Sequence, residues 1–198
     1  MILIAAYLCG SIPTGLWLGR LIGVDVRAAG SGNIGATNVA RTIGARLGVL
    51  TLIVDVAKGA LPMVLARAVG ASAVGLALVG ICTVAGHIFS IFARFRGGKG
   101  VATSAGVFLV LAPFALAGAV AVFAVAMALS RRVSVASLCA SGALPVFLAA
   151  AGDWGPRLWA GAAIALALVL THRDNLRRLA AGTEPRFIPR RSSKPPGG

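Results

Sequence analysis

The sequence predicts an all-helical protein that crosses a membrane several times. Its 198 residues are 58% hydrophobic and only 12% charged, and the mean hydropathy is +0.92. A water-soluble domain is nearer half apolar and a quarter charged, so the chain departs from that average in both respects. The formal net charge is +14, but the basic residues lie between apolar runs rather than along one face. Basic loops that flank hydrophobic spans indicate a membrane protein rather than a nucleic-acid-binding protein.

Long apolar runs indicate the membrane spans and the domain boundaries. The first run, MILIAAYLCGSIPTGLWLGR, has no basic residue before it and no small-residue cleavage site after it, so we expect a span rather than a removable signal peptide. We expect one domain over residues 1–184, followed by a disordered basic cytoplasmic tail over 185–198. The predicted spans cover about 1–22, 46–67, 73–93, 101–130, 134–151 and 157–172.

The fourth run, 101–130, is longer than a single span requires. As one helix it would be about 45 Å long, against a hydrocarbon thickness of about 30 Å. Pro113 and Gly118 lie near its middle, and a proline there removes a helix hydrogen bond. The run is therefore either one long tilted helix or two short ones.

The distribution of basic residues distinguishes these two alternatives. With two short helices, Lys99, the Arg131–Arg132 pair and the basic C-terminal tail lie on one side, and Arg67 and Arg157 lie opposite. With one long helix, the arginine pair and the whole tail would move to the other side. The positive-inside rule therefore favours seven transmembrane helices, two of them short, with the N-terminus outside and the C-terminus cytoplasmic.

The first polar stretch on the predicted cytoplasmic side is GSGNIGATNVAR, Gly30 to Arg41. Ser31, Asn33 and Asn38 are small hydrogen-bonding residues, and the glycines permit close backbone approach. Arg41 offers a planar fork of donors that suits phosphate. Taken alone, such a stretch is equally typical of an ordinary connecting loop.

The second polar stretch, FRGGKGVAT, places Lys99 among Gly97, Gly98 and Gly100. Glycines let backbone N–H groups approach an anion, and a lysine adds a point charge. The spacing does not match a Walker A loop, which has four residues between its first glycine and a Gly-Lys-Ser/Thr ending. Taken alone, the stretch is also typical of a flexible turn with one positive-inside lysine.

Two further polar stretches complete the predicted cytoplasmic face. RRVSVAS ends at Ser137, and THRDNLRRLAAGTE contains His172 and Asn175 three residues apart, which puts both on one face of a helix. A lone histidine at a helix end more often has a capping or interfacial role than a catalytic one.

In order and spacing, these stretches resemble one family. The patterns are S-G-N-x-G-A-T-N-x-x-R, then G-H-x-F-x-x-F-x-x-F-x-G-G-K-G-V-A-T, then H-x-x-N-x-x-R-L-x-x-G-x-E. They are similar to those of the bacterial acyl-phosphate:glycerol-3-phosphate acyltransferases, the PlsY family, from the first span to Glu184. Two positions differ from the family's usual pattern: Ser90 replaces a proline, and Thr171 replaces an arginine before the histidine.

The resemblance implies a multi-pass enzyme of the bacterial inner membrane with its active site on the cytoplasmic side. It implies transfer of a fatty acyl group from acyl phosphate to the 1-hydroxyl of sn-glycerol 3-phosphate, giving lysophosphatidate and phosphate for phospholipid synthesis. It implies no metal, no cofactor, no direct use of acyl-CoA or acyl carrier protein, and no required protein partner. The partners expected are the two substrates and membrane lipids.

The site residues follow from the resemblance and from the chemistry of the side chains. Ser31 and Ser137 would bond phosphate or carbonyl oxygens, and Asn175 would orient the substrate or donate to the developing oxyanion. The proton acceptor is either His172 or the acyl phosphate's own oxygens, and we favour the latter with His172 as a positioning donor. The predicted catalytic set is His172, Asn175, Lys99 and Ser137, and the predicted phosphate-binding set is Ser31, Asn33, Asn38, Arg41, Gly97, Gly98, Lys99 and Gly100.

Asp55 and Lys58 lie inside the second predicted span, where ionisable side chains are costly and mark function by default. At positions i and i+3 they can pair with each other, and we slightly favour a structural pair. Two other function classes are considered: a membrane transporter of a small phosphorylated or organic anion, and a scaffold without chemistry. A transporter typically shows inverted repeats and broken helices that meet at the midplane, whereas the polar stretches here lie at the cytoplasmic rim.

Overall fold

A computed structural model describes residues 1–187, and in that part of the chain the protein is helical without strands. Residues 188–198 of the predicted tail lie outside the described residues. A short 3-10 helix, Ile91–Ala93, follows the fifth α-helix. The α-helices are α1 (Ile2–Gly10), α2 (Thr14–Leu21), α3 (Ala36–Thr42), α4 (Ala45–Ala68), α5 (Ala73–Ile88), α6 (Val101–Leu111), α7 (Pro113–Ser130), α8 (Val133–Ala150), α9 (Pro156–Thr171) and α10 (Arg173–Ala180).

Apolar helices of the length a bilayer requires dominate the fold. Within the described residues, length and composition qualify four helices as spans, α4, α7, α8 and α5 with its 3-10 extension. The pair α1 and α2 qualifies as a fifth when counted as one bent span, and α6 and α9 are shorter apolar helices. The expected all-helical membrane architecture is confirmed.

The first predicted span, 1–22, is broken. Helices α1 and α2 meet at an angle of 43°. Pro13 explains the break, because it lacks a backbone N–H and disfavours helical geometry in the residue before it. We predicted a span here, and the bent pair qualifies as one, but the break within it was not predicted.

Buried side chains bond the backbone groups that the break exposes. Ser90 Oγ donates to Ser11 O, and Lys58 Nζ donates to Ile12 O at 2.6 Å. Lys58 also pairs with Asp55 at 2.8 Å, and Asp55 Oδ1 accepts from Thr14 Oγ1 at 3.1 Å. Unsatisfied backbone groups in a bilayer cost several kcal/mol each, so a break at this depth needs such partners. The buried ion pair therefore has the structural role that we favoured.

The fourth predicted run, 101–130, is also broken. Of the two alternatives, one long tilted helix or two short ones, the structure shows two helices. Helix α6 ends at Leu111, Ala112 is non-helical, and Pro113 begins α7. Proline is favoured at a first helical position because the missing N–H has no intrahelical partner there anyway. The α6 helix has 11 residues and is about 16 Å long.

Glycines set how closely α6 lies against α4. A Cβ atom at Gly59 would overlap Thr103 O, and one at Gly106 would overlap Val56 O. Small residues at helix contacts allow this approach in membranes, where packing replaces the hydrophobic effect as the driving force. The contact fixes the start of α6, and with it the loop that carries Lys99.

Candidate active site

The loop that carries Lys99 folds back on the end of α5. Gly97 N donates to Ile88 O at 2.9 Å, and Gly98 N donates to His87 O at 3.1 Å. A Cβ atom at Gly97 would overlap His87 O, and one at Gly98 would overlap the His87 ring. These two glycines therefore allow the loop to pack against His87.

This packing changes the role expected of the glycines. We predicted that the N–H groups of Gly97 and Gly98 bind phosphate, but both already donate to backbone carbonyls of α5. Gly100, with a φ of +90°, turns the chain into α6. The N–H groups of the first turn of a helix have no intrahelical acceptor, and this end of the helix dipole favours anions. Backbone donors next to Lys99 therefore come from the start of α6 rather than from Gly97 and Gly98.

Lys99 lies in a polar environment built by the C-terminal part of the chain. Its Nζ donates to Asn175 Oδ1, and its backbone carbonyl accepts from Thr171 Oγ1 at 3.2 Å. Burial lowers the pKa of the Lys99 ammonium to about 8, although the Glu184 carboxylate acts in the opposite direction. Two residues of the predicted catalytic set, Lys99 and Asn175, are thus in direct contact.

Glu184 joins three segments of the chain around Asn175. Its Oε1 accepts from Asn175 Nδ2 and from Ser134 Oγ, both at 2.6 Å, and its Oε2 accepts from Arg178 Nε at 2.8 Å. Its backbone carbonyl accepts from Arg132 Nε at 3.1 Å. Burial acts to raise the pKa of the Glu184 carboxyl, but the three side-chain donors outweigh it and lower the pKa.

Our sequence-based prediction did not include Glu184 among the site residues. A signal was present, because Glu184 is one of only five acidic residues against 19 basic ones and ends the third motif. An acidic residue in so basic a chain has many available cationic partners.

His172 lies between α9 and α10, and only 2% of it is exposed. Its Nδ1 is 2.7 Å from Leu168 O. Since a carbonyl oxygen only accepts hydrogen bonds, this contact places the ring proton on Nδ1 and leaves Nε2 as an acceptor in the neutral imidazole. Asp174 instead pairs with Arg177 at 3.4 Å on the exposed side of α10, so it does not orient the histidine.

Ser137 lies one turn after Ser134 on α8, and both side chains are buried. Residues three apart share a face of a helix. Because Ser134 donates to Glu184, this face of α8 is directed toward the polar network around Asn175. Ser137 is thus on the side of α8 that faces this network.

The loop before α3 is organised by the side chain of Asn38. Its Oδ1 accepts from Ser31 N at 2.8 Å, and its Nδ2 donates to Val26 O at 2.9 Å and to Asn33 O at 2.8 Å. Gly30 has a φ of +62°, and a Cβ atom there would overlap Asn38 Oδ1. We assigned Asn38 to phosphate binding, but its amide is used within the loop, and it shapes the loop instead.

The other residues of this loop remain closer to solvent. Ser31 is exposed, Asn33 is half-buried and accepts from Gly35 N at 2.8 Å, and Arg41 is half-buried in the last turn of α3. The charge of Arg41 contributes to lowering the pKa of Lys99, so the two cations lie within electrostatic reach of each other. Two cations within electrostatic reach of each other suit a dianionic ligand.

Comparisons with known proteins agree on one family. The profile of the family described as "Glycerol-3-phosphate acyltransferase" matches residues 1–182. The chain is 49% identical to the glycerol-3-phosphate acyltransferase of Trichlorobacter lovleyi, covering 92% of this chain and 94% of the relative. It is 47% identical to that of Geobacter sulfurreducens, with the same two coverages.

Two solved structures are also similar to the fold. One is a crystal structure of PlsY (YgiH), an integral membrane glycerol 3-phosphate acyltransferase, in its glycerol 3-phosphate form. It has a TM-score of 0.91 and 38% identity, and the match covers 94% of each chain. The lysophosphatidic acid form of PlsY (YgiH) gives a TM-score of 0.88 with the same identity and coverage.

Proposed function

The chain belongs to the glycerol-3-phosphate acyltransferase family, and from that premise we propose that its acyl donor is acyl phosphate. It is an integral membrane acyltransferase of phospholipid synthesis. With this donor, the enzyme transfers a fatty acyl group to the 1-hydroxyl of sn-glycerol 3-phosphate and releases lysophosphatidate and inorganic phosphate. The family assignment replaces the transporter and scaffold alternatives.

The observation that carries the proposal is the environment of Lys99. A half-buried ammonium lies just before α6, contacts Asn175, and is within electrostatic reach of Arg41. Glycerol 3-phosphate, acyl phosphate and the leaving phosphate all bring negative charge to one place. Charge-assisted hydrogen bonds in a partly water-excluded site stabilise such charge more strongly than neutral contacts do.

The remaining predicted residues have roles that suit this chemistry. Arg41 supplies a fork of donors and Ser31 a hydroxyl at the exposed rim, with Asn33 in the same loop as Ser31. Asn175 is held at both ends of its amide: Oδ1 accepts from the Lys99 ammonium, and Nδ2 donates to Glu184. It is therefore placed to orient the substrate or to donate to the developing oxyanion. Ser137 offers a hydroxyl from α8.

Two groups can accept the proton of the glycerol hydroxyl: His172 Nε2 and the oxygens of the acyl phosphate. We favour the substrate oxygens, because an acyl phosphate is already activated and a strong base is not required. The backbone carbonyl of Leu168, rather than a carboxylate, orients His172. With its ring proton on Nδ1, His172 presents Nε2 only as an acceptor, so it is not the positioning donor that we first expected. If the single hydroxyl proton passes to the substrate oxygens, as we favour, that hydroxyl does not donate to Nε2.

Contacts at both ends of the helices support a topology of seven spans. Arg67 Nη2, at the end of α4, donates to Val110 O, at the end of α6, at 2.9 Å. At the opposite ends, Arg132 and Asn175 both bond Glu184, and Asn175 also contacts Lys99. An unbroken helix of about 45 Å over 101–130 would separate Lys99 and Arg132 by the thickness of the bilayer.

Four long helices, one bent pair and two shorter apolar helices provide the seven spans. Because nearly all basic loops then lie on one side, the positive-inside rule places the site in the cytoplasm and the N-terminus outside. The acyl chain of the donor can then enter sideways from the inner leaflet while its phosphate reaches Lys99. No protein partner is required for that route.

An assay with purified protein tests the donor. Lysophosphatidate should form from palmitoyl phosphate and glycerol 3-phosphate without magnesium, and palmitoyl-CoA should not substitute. Phosphate release should depend on glycerol 3-phosphate, which transport would not require. Robust turnover with the thioester would contradict the proposed donor.

A further inference from the structure

Arg27 connects the segment that leads into α3, the helix that carries Arg41, with the loop that carries Lys99. Its Nη2 donates to Arg96 O at 2.6 Å and to Ala93 O at 3.2 Å. Its backbone N donates to Asp25 Oδ1 at 2.9 Å, which fixes the base of the side chain. Arg27 lies three residues before Gly30, where the first polar loop begins, whereas Arg96 directly precedes Gly97 in the second.

The carbonyls that Arg27 binds, those of Ala93 and Arg96, come directly before the glycines of the Lys99 loop. Gly97 and Gly98 donate to the end of α5. The loop is therefore held at two places, by α5 through its glycines and by Arg27 through the carbonyls that precede them. A single cationic nitrogen, Nη2, makes both bonds, because its two N–H groups can each donate to one carbonyl.

A small apolar cluster joins the same two loops beside Arg27. Val26 and Ala93 are buried and belong to one cluster with Leu16, Ile34 and Val39. A hydrophobic contact of this kind holds surfaces together but leaves their relative position loosely defined, whereas a pair of directional hydrogen bonds specifies it.

We propose that Arg27 is a positioning residue for the acyltransferase reaction. It sets the separation of Arg41 and Lys99 so that both cations hold the substrate phosphates at the same time. This inference rests on the proposed roles of Arg41 and Lys99. Displacement of about 1 Å in a positioned group can cost as much as about a hundredfold in rate, so the separation of these cations matters to catalysis.

The test compares Arg27→Ala and Arg27→Lys with Arg20→Ala in the purified, folded enzyme. Arg20 is an exposed cation on α2, so its replacement removes the same charge without touching either loop. Arg27→Ala should raise the KM for glycerol 3-phosphate about tenfold or more, with a smaller loss in kcat. Arg27→Lys should recover most of the affinity because an ammonium can donate to both carbonyls, and Arg20→Ala should resemble wild type.

Measuring Lys99→Ala in the same assay separates this inference from the proposed site. A wild-type KM in Arg27→Ala, alongside a collapse of activity in Lys99→Ala, overturns the proposed role of Arg27 alone. Wild-type behaviour in both variants overturns the site assignment. An equal rise in KM in Arg20→Ala assigns the effect to net charge and also overturns the proposed role of Arg27. If Arg27→Ala cannot be purified as folded protein, Arg27→Gln takes its place. A wild-type KM in Arg27→Gln then overturns the proposal.

Discussion

Lys99 and Asn175, 76 positions apart in the chain, meet through a hydrogen bond from Nζ to Oδ1. This contact joins the loop before α6 to the helix α10 near the C-terminus. Asn175 in turn donates to Glu184, so the ammonium, the amide and the carboxylate form one continuous chain of polar contacts. A phosphate that reaches Lys99 enters a site whose geometry is already organised.

Replacing Lys99 is the most direct test of the site. If Lys99 contacts phosphate in the transition state, Lys99→Ala should lower activity by about a hundred- to a thousandfold, since loss of one such donor costs about 2.7–4 kcal/mol. Lys99→Arg should also fail, because a planar fork cannot occupy the place of a compact ammonium between Gly98 and Gly100. Rates are compared at equal amounts of folded protein.

Arg96→Ala is the matched control for Lys99→Ala. Its side chain is exposed in the same loop, and its contacts are made by the backbone: Arg96 N donates to Ala93 O at 3.2 Å, and Arg96 O accepts from Arg27. Arg96→Ala should therefore retain nearly full activity. Wild-type turnover in Lys99→Ala would instead identify this stretch as an ordinary cytoplasmic turn with a positive-inside lysine.

The pH dependence of kcat/KM should report the ionisation of Lys99. Its pKa in the free enzyme is lowered to about 8, so the ammonium is present below that pH and lost above it. Since kcat/KM reflects the free enzyme, it should fall as the pH rises through about 8. In kcat the same fall should appear at higher pH, because a bound phosphate favours the charged lysine.

Glu184→Gln provides the discriminating variant for this profile. The Glu184 carboxylate raises the pKa of Lys99, so its neutralisation should move the alkaline fall in kcat/KM to lower pH. The residual activity of Lys99→Arg should lack this fall altogether, because a guanidinium stays charged. An unchanged profile in folded Glu184→Gln would show that a group other than Lys99 controls the alkaline limb.

The sequence predicts the broken fourth run well but the broken first run poorly, although both contain a proline. In the fourth run, excess length and charge distribution both point to the break near Pro113. In the first run, the length suits one ordinary span, and the groups that make a break tolerable, Asp55 and Lys58, lie on another helix. A break supported by distant partners leaves little local signal.

The candidate site shows the same limit. The motif order predicts that Lys99 and Asn175 belong together, and the structure brings them into contact. A glycine pattern, however, does not distinguish close approach to a ligand from close approach to the protein itself, and Gly97 and Gly98 serve the latter. The sequence marks Glu184 as a rare acidic residue, but its donors come from separate segments, so the fold is needed to identify its partners.

The buried pair Asp55–Lys58 should contribute to stability as a unit. Each side chain is 4% exposed, so Lys58→Met leaves an uncompensated carboxylate inside the membrane and should destabilise the protein by about 3–5 kcal/mol. The double variant Asp55→Leu/Lys58→Met should lose less, because no charge is left unpaired. Thermal unfolding in detergent measures the loss of stability in the single and the double variant, with Arg46→Met at an exposed position as the control. Equal losses in the single and double variants would show that the two charges are not coupled.

Cysteine labelling in intact cells should resolve the number of spans. The native Cys9, Cys82 and Cys139 are first replaced by alanine, and a cysteine is then introduced at Arg131 or Ala151. With seven spans, Arg131→Cys lies in the cytoplasm with the Lys99 loop and should resist a membrane-impermeant reagent, whereas Ala151→Cys, in the next loop, should react. With six spans the pattern inverts, because every element after an unbroken 101–130 helix changes side.

The contact of Phe187 N with Arg131 O at 2.7 Å ties the C-terminal segment to the same end, so a C-terminal reporter should behave as cytoplasmic too. Labelling of Arg131→Cys together with protection of Ala151→Cys would restore the six-span topology.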